Sequence, residues 1–257
     1  MKKLLSLLLM GGVLFLTSCE TTREITINND GTGKVVTTTD MSALIGMAKM
    51  SGQGQDLEEL NDKAMDTVIA LSSIADSLTD LTTEERELIK KGTLNFVMNM
   101  ADEKFITKIE FPFTEPAQLG KLDKLTSKAM QQAMKKQMAG NQPEGEGEES
   151  PMPGPGDLPQ GTIDDYFTMT YSKGVIEKKL DKEKHAKIDE DEGMKALEQM
   201  AGMGGGSNVV IYNLPRPAKK AEGKNVKLSD DKKKVTITTS ASDFFDDATG
   251  LEYRIEY

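Results

Sequence analysis

One thiol and one imidazole occur in 257 residues, Cys19 and His185. A Cys/His zinc site needs partners that this chain lacks, and a Ser-His-Asp relay needs its imidazole held in an oriented pocket. His185 instead sits in "DKEKHAKIDED", with charged neighbours on both sides, the surroundings of a solvated loop. Oxygen ligands for calcium are more plentiful. Asn28, Asp30, Thr32 and Gly33 have part of the required spacing, but the twelfth position is Thr39 instead of an acid. In "IDEDEG", placing Gly193 sixth puts Ile188 first, and Asp243, Asp246 and Asp247 in "SDFFDDATG" read as a polar turn around Phe244 and Phe245. "GMGGGS", residues 202–207, follows a helical pattern and precedes a strand pattern, the reverse of a phosphate loop. No catalytic residue, metal ligand or cofactor site is assigned, and the expectation is a protein that is not an enzyme.

The chemistry that remains is acylation of Cys19. Lys2 and Lys3 precede an apolar run over residues 4–16, broken only by Ser6 and the Gly11-Gly12 pair. Its 13 positions fall short of the ~20 that cross a bilayer as a helix. A charged start, a short apolar stretch and small residues before a cut describe a signal peptide, here residues 1–18. The tetrad Leu16-Thr17-Ser18-Cys19 resembles the bacterial lipobox. The resemblance implies that Cys19 becomes the new amino terminus and carries the lipid. Several acyl chains anchor stably, since each buried methylene contributes ~0.8 kcal/mol. Residues 19–23 then read as a lipidated tether, and 24–257 as a single folded domain.

Loss of Lys2 and Lys3 leaves 30 basic residues against 42 acidic, a net charge of −12. That balance argues against nucleic acid as a partner, because neutralising phosphates takes clustered Lys and Arg. With Cys19 consumed, no disulfide is available and the core alone must hold the fold. Basic residues do gather in two places. Lys121, Lys124, Lys128, Lys135 and Lys136 share one face of a predicted helix, and residues 216–234 carry eight positive charges against three negative. Both are expected to face anionic headgroups near the tether, although a core-packed helix with a solvated lysine face is the favoured reading of the first.

Positioning these groups falls to hairpins and helices. "EITINNDGTGKVVTTT" predicts a hairpin turning at Asp30-Gly31, followed by a short helix over "DMSALIGMAKM" capped by Asp40 or Ser42. Leu57, Leu60, Ala64, Val68, Leu71, Ala75 and Leu78 recur at helical spacing and predict a helix over 56–79. Thr82 with Glu85 predicts a capping box and a helix to Lys91. "TLNFVMNM" and "KFITKIEFPF" predict a second hairpin, then a helix over 116–138. A third hairpin turns at Ser172-Lys173-Gly174, a helix follows over 191–202, and the remainder is mostly strand. Residues 139–161 hold five of the nine prolines and five net negative charges, the composition of a disordered loop. Hairpins and helices without strict β-α-β alternation predict an α+β fold, largely antiparallel sheet with helices packed on it.

The chain as a whole resembles a set of uncharacterised Bacteroidota lipoproteins. The matching stretches are the lipobox, "INNDGTG", "TTTDMSALIGMAKM" and the late "YNLPRP" with "VKLSDDKKKVTI". The resemblance implies the cell envelope, at the outer membrane, facing the periplasm or the cell surface, and no particular activity. Acidic residues after the cysteine direct surface export in that group, and here Glu20 is followed by Thr21, Thr22 and Arg23. A fainter similarity is to lipid-binding lipoprotein domains. Two expectations follow: a membrane-anchored envelope lipoprotein acting through protein partners, or a carrier of an apolar ligand between sheet and helices.

Overall fold

The computed structural model describes residues 20–43, 45, 64–78, 81–99, 101–126, 128–129, 162–202 and 206–257. The predicted α+β class is the one observed. In chain order the strands of the larger sheet are β1 (Glu20–Ile27), β2 (Gly33–Asp40), β3 (Met65–Ala70), β4 (Thr93–Asn99), β5 (Lys104–Phe113), β8 (Ser207–Asn213), β10 (Val226–Leu228) and β11 (Lys234–Ser240). Their spatial order is β10-β11-β8-β1-β2-β5-β4-β3. A smaller sheet holds β6 (Phe167–Ser172), β7 (Val175–Leu180), β12 (Tyr253–Glu256) and β9 (Lys220–Glu222), in that spatial order. Every pairing is antiparallel except β1 with β8, which run parallel from Glu20↔Ser207.

Period-two alternation decides which face of the larger sheet is buried. On β5, Phe105, Thr107, Ile109, Phe111 and Phe113 are all buried while Lys104, Lys108 and Pro112 are exposed. The pairing registers line such residues up in cross-strand rows. Val235, Tyr212, Ile25, Val35 and Phe111 form one row; Ile237, Val210, Arg23, Thr37 and Ile109 form the next; Thr239, Asn208, Thr21, Thr39 and Thr107 form the third. The inner face therefore changes from apolar to hydroxyl-lined toward the end where β1 begins. At that end Thr21 Oγ1 lies 3.4 Å from Thr39 Oγ1.

Among the described residues the fold also holds helices α1 (Thr83–Lys90), α2 (119–126, continuing at 128–129), α3 (Lys182–His185), α4 (Glu192–Gly202) and α5 (Ala241–Asp247). The capping box at Thr82 is formed: its side chain accepts from the Glu85 amide, and Glu85 Oε2 accepts from the Thr82 amide at 2.8 Å. Leu119, Leu122, Leu125 and Ala129 of α2 join residues of both sheets in the main core. Thus α2 is core-packed, with Lys121 on its outer side paired to Glu84 at 2.5 Å. A second core gathers Tyr166, Phe167, Met194, Phe244 and Leu251 between the smaller sheet, α4 and α5.

Two expectations are corrected. Residues 65–70 are strand where a helix was predicted over 56–79, and 56–63 lie outside the described residues. Val68, expected on the buried face of that helix, is 67% exposed. Thr67, Val68 and Ile69 are β-branched, and the ladder to β4, Met65↔Met98 through Ala70↔Thr93, makes this segment the edge strand of the larger sheet. The second correction concerns the tether. Residues 20–23 belong to β1, paired on one side with β2 and on the other with β8, so no free stretch separates position 19 from the sheet. Residues 42, 43 and 45 are helical as predicted, with Asp40 Oδ1 accepting from the Ser42 amide at 2.9 Å, whereas the loop 139–161 lies outside the described residues.

Candidate functional site

Two places concentrate unusual chemistry, the amino-terminal end of β1 and the seam between the sheets. At the first, Glu20 is already locked. Its backbone pairs with Asp40 and Ser207 on either side, and Ser207 Oγ donates to its carboxylate at 3.4 Å. The predicted lipidation residue Cys19 and its lipobox Leu16, Thr17 and Ser18 lie outside the described residues. What the fold adds is the attachment geometry: position 19 is one residue, ~3.8 Å of chain, from a sheet-locked backbone.

At the seam, each sheet sends one cation inward. Arg23 shares the buried face of β1 with Ile25 and Ile27, and Lys178 shares that of β7 with Ile176. Arg23 pairs with Asp123 of α2, the two side chains only 15% and 19% exposed. Lys178 donates to Asp164 Oδ1 at 2.6 Å and sits 4.3 Å from the centroid of the Phe167 ring. Three phenols complete the group. Tyr212 Oη and Tyr253 Oη are 2.8 Å apart and join the two sheets, and Tyr171 Oη lies 3.5 Å from Asp123 Oδ2. Desolvation pushes the Tyr171 and Tyr253 hydroxyls well above the usual phenol range, so all remain donors at neutral pH. Desolvation also raises the Asp164 carboxyl, but the Lys178 ammonium and Arg23 outweigh it and hold the group below its ordinary value.

The cavity among these groups is about 30 Å³. That is room for about one water and far below the ~300 Å³ at which ligand pockets begin. With two cations and two carboxylates paired, the seam carries no uncompensated charge to activate a substrate. An acyl chain finds no room there either.

Several of the remaining sequence candidates are engaged in local contacts. Asp30 accepts from the Thr32 amide at 3.0 Å and the Thr32 hydroxyl at 2.8 Å, which holds its carboxyl below the ordinary range. Asp243 completes a capping box with Ser240, and Asp247 accepts from Thr249 at 2.6 Å. His185 closes α3 and stacks edge-on against Phe244 at 5.6 Å. Among the described residues no three acidic or histidine side chains converge on one point.

Asp191 has a role that its sequence context did not announce. It accepts from the Gly193 amide at 2.9 Å and from the Tyr166 hydroxyl at 2.9 Å, tying the start of α4 to the second core. The Tyr166 bond and the Met194 amide lower its pKa, while desolvation and the same bond push Tyr166 up to about 12. Because the folded value of Asp191 lies below the unfolded one, its contribution is complete above about pH 4 and is lost as pH falls through the folded value. Asp191→Ala is expected to lower Tm at pH 7, with the gap to wild type narrowing below about pH 4 in a series of thermal melts.

No protein-family model, curated protein or solved structure matches this chain.

Proposed function

We propose that the chain is a lipid-anchored protein of the bacterial cell envelope, held at the outer membrane through Cys19 and acting through protein contacts instead of catalysis. The observation that carries this reading is the order of the first 19 residues: Lys2 and Lys3, the apolar run, then Leu16-Thr17-Ser18-Cys19. The likeness to Bacteroidota lipoproteins points the same way. At the seam the charges neutralise one another and the cavity has room for about one water, which argues against catalysis at that one place.

The test is an intact-mass measurement on protein expressed in a bacterium that acylates lipoproteins, together with detergent-phase partitioning. Wild type is expected to lose residues 1–18, gain a diacylglyceryl thioether and an amino-terminal acyl group, and enter the detergent phase. Cys19→Ala is expected to retain its leader and gain no lipid. A mature chain cut elsewhere, or cut before Cys19 without acyl mass, overturns the proposal.

A further inference from the structure

The pairing of Glu20 has a consequence for how such a protein meets its membrane, and it rests on the lipidation reading above. An anchor on a long tether leaves the orientation of a domain free. Here the residue next to Cys19 is clamped between β2 and β8, through Glu20↔Asp40 and Glu20↔Ser207. A lipid on Cys19 therefore holds one end of the larger sheet against the bilayer, the end where β1 and β8 begin and β2 and β11 finish.

We infer that the sheet stands on the membrane at this end, with the lysine cluster Lys232, Lys233 and Lys234 on the far side. The registers fix the distance. Lys234 pairs with Asn213, and Asn213 pairs with Thr26 near the close of β1. From Glu20 to there the strand climbs ~20 Å at ~3.3 Å per residue. That is about twice the ~8–10 Å over which charge is felt in physiological salt. Of the basic segment 216–234, expected to face the headgroups, Lys232 to Lys234 therefore lie far from the lipid, whereas β10 starts beside Ile237, level with Arg23, and the residues just before it approach the near end. The near end presents Glu20 and Asp40, both acidic, Lys104 at the start of β5, and the hydroxyls of Ser207 and Ser240. A flat posture has nothing to recommend it, because the outer face of β1, β2 and β5 displays Glu24, Lys34, Lys108 and Glu110, with Lys34 and Glu110 paired at 3.2 Å.

The chain has no thiol besides Cys19, so a single introduced cysteine in the lipidated protein reports one site. Ser242→Cys samples the near end, in the first turn of α5 after β11; Asn29→Cys and Lys233→Cys sample the far end, and all three positions are exposed. Each is labelled with a fluorophore, and the lipidated protein is reconstituted in phosphatidylethanolamine–phosphatidylglycerol vesicles carrying a headgroup quencher. The expected result is at least threefold stronger quenching at position 242 than at 29 or 233. Equal quenching at all three sites, or stronger quenching at 233, overturns the orientation while leaving acylation intact. An unacylated Cys19 in the mass spectrum of the same sample overturns both readings.

Discussion

Asp123→Ala is expected to cost the fold about 3 kcal/mol, measured by urea unfolding of the mature chain, and to be the most damaging single change in the seam. Removing the carboxylate leaves the Arg23 guanidinium on the inner face of β1, in a row between Val210 and Thr37, with only 15% of its side chain exposed. An unpaired charge there has lost its hydration without a replacement. The intact pair need not be stabilising relative to an apolar one, because desolvating both ions offsets much of their attraction. Arg23→Met with Asp123→Leu is therefore expected to fall within about 1 kcal/mol of wild type. Non-additivity of that size is what a direct contact predicts. If Asp123→Ala costs less than about 1 kcal/mol, the pair is screened like a surface salt bridge, and the seam is wetter than its geometry indicates.

Why Arg23 escapes notice in the sequence is a matter of locality. Its parity with Ile25 and Ile27 places it on the buried face, but a charge at the end of a strand near a tether reads as solvated. Only α2, a hundred residues later, supplies Asp123. Lys178 escapes for the same reason: "VIEKKL" alternates correctly, and Asp164 lies beyond the start of the hairpin. The local signals were legible. The span 104–113 is strand as its alternation predicts, the Thr82–Glu85 box forms, and the third hairpin turns through Gly174 at φ 84°. What local periodicity could not supply is long-range pairing. The parallel match of β1 with β8 joins residues 20–26 to 207–213, and it converts an expected tether into a clamped strand. At residues 65–70 two periods compete in the same letters, and the open edge of β4 selects the strand.

A third kind of information, close backbone approach, underlies the other large effect. Gly92 joins α1 to β4, with its carbonyl accepting from the Leu71 amide at 3.0 Å. A methyl group added there would meet Phe111 at 2.5 Å and Leu71 at 2.9 Å. Phe111, 1% exposed, fills the space that the missing side chain leaves, so the glycine and the ring are one packing unit. Phe111→Ala is expected to cost about 3–5 kcal/mol through lost burial and the cavity left behind. Gly92→Ala is expected to cost about 1–3 kcal/mol, because ring, Leu71 or the turn must shift. The informative measurement is the combination. In a Phe111→Leu background the aromatic edge is gone, and adding Gly92→Ala is expected to cost less than about 0.5 kcal/mol by urea unfolding. An undiminished Gly92→Ala penalty there would assign the need for glycine to the backbone turn between α1 and β4 and not to the ring of Phe111.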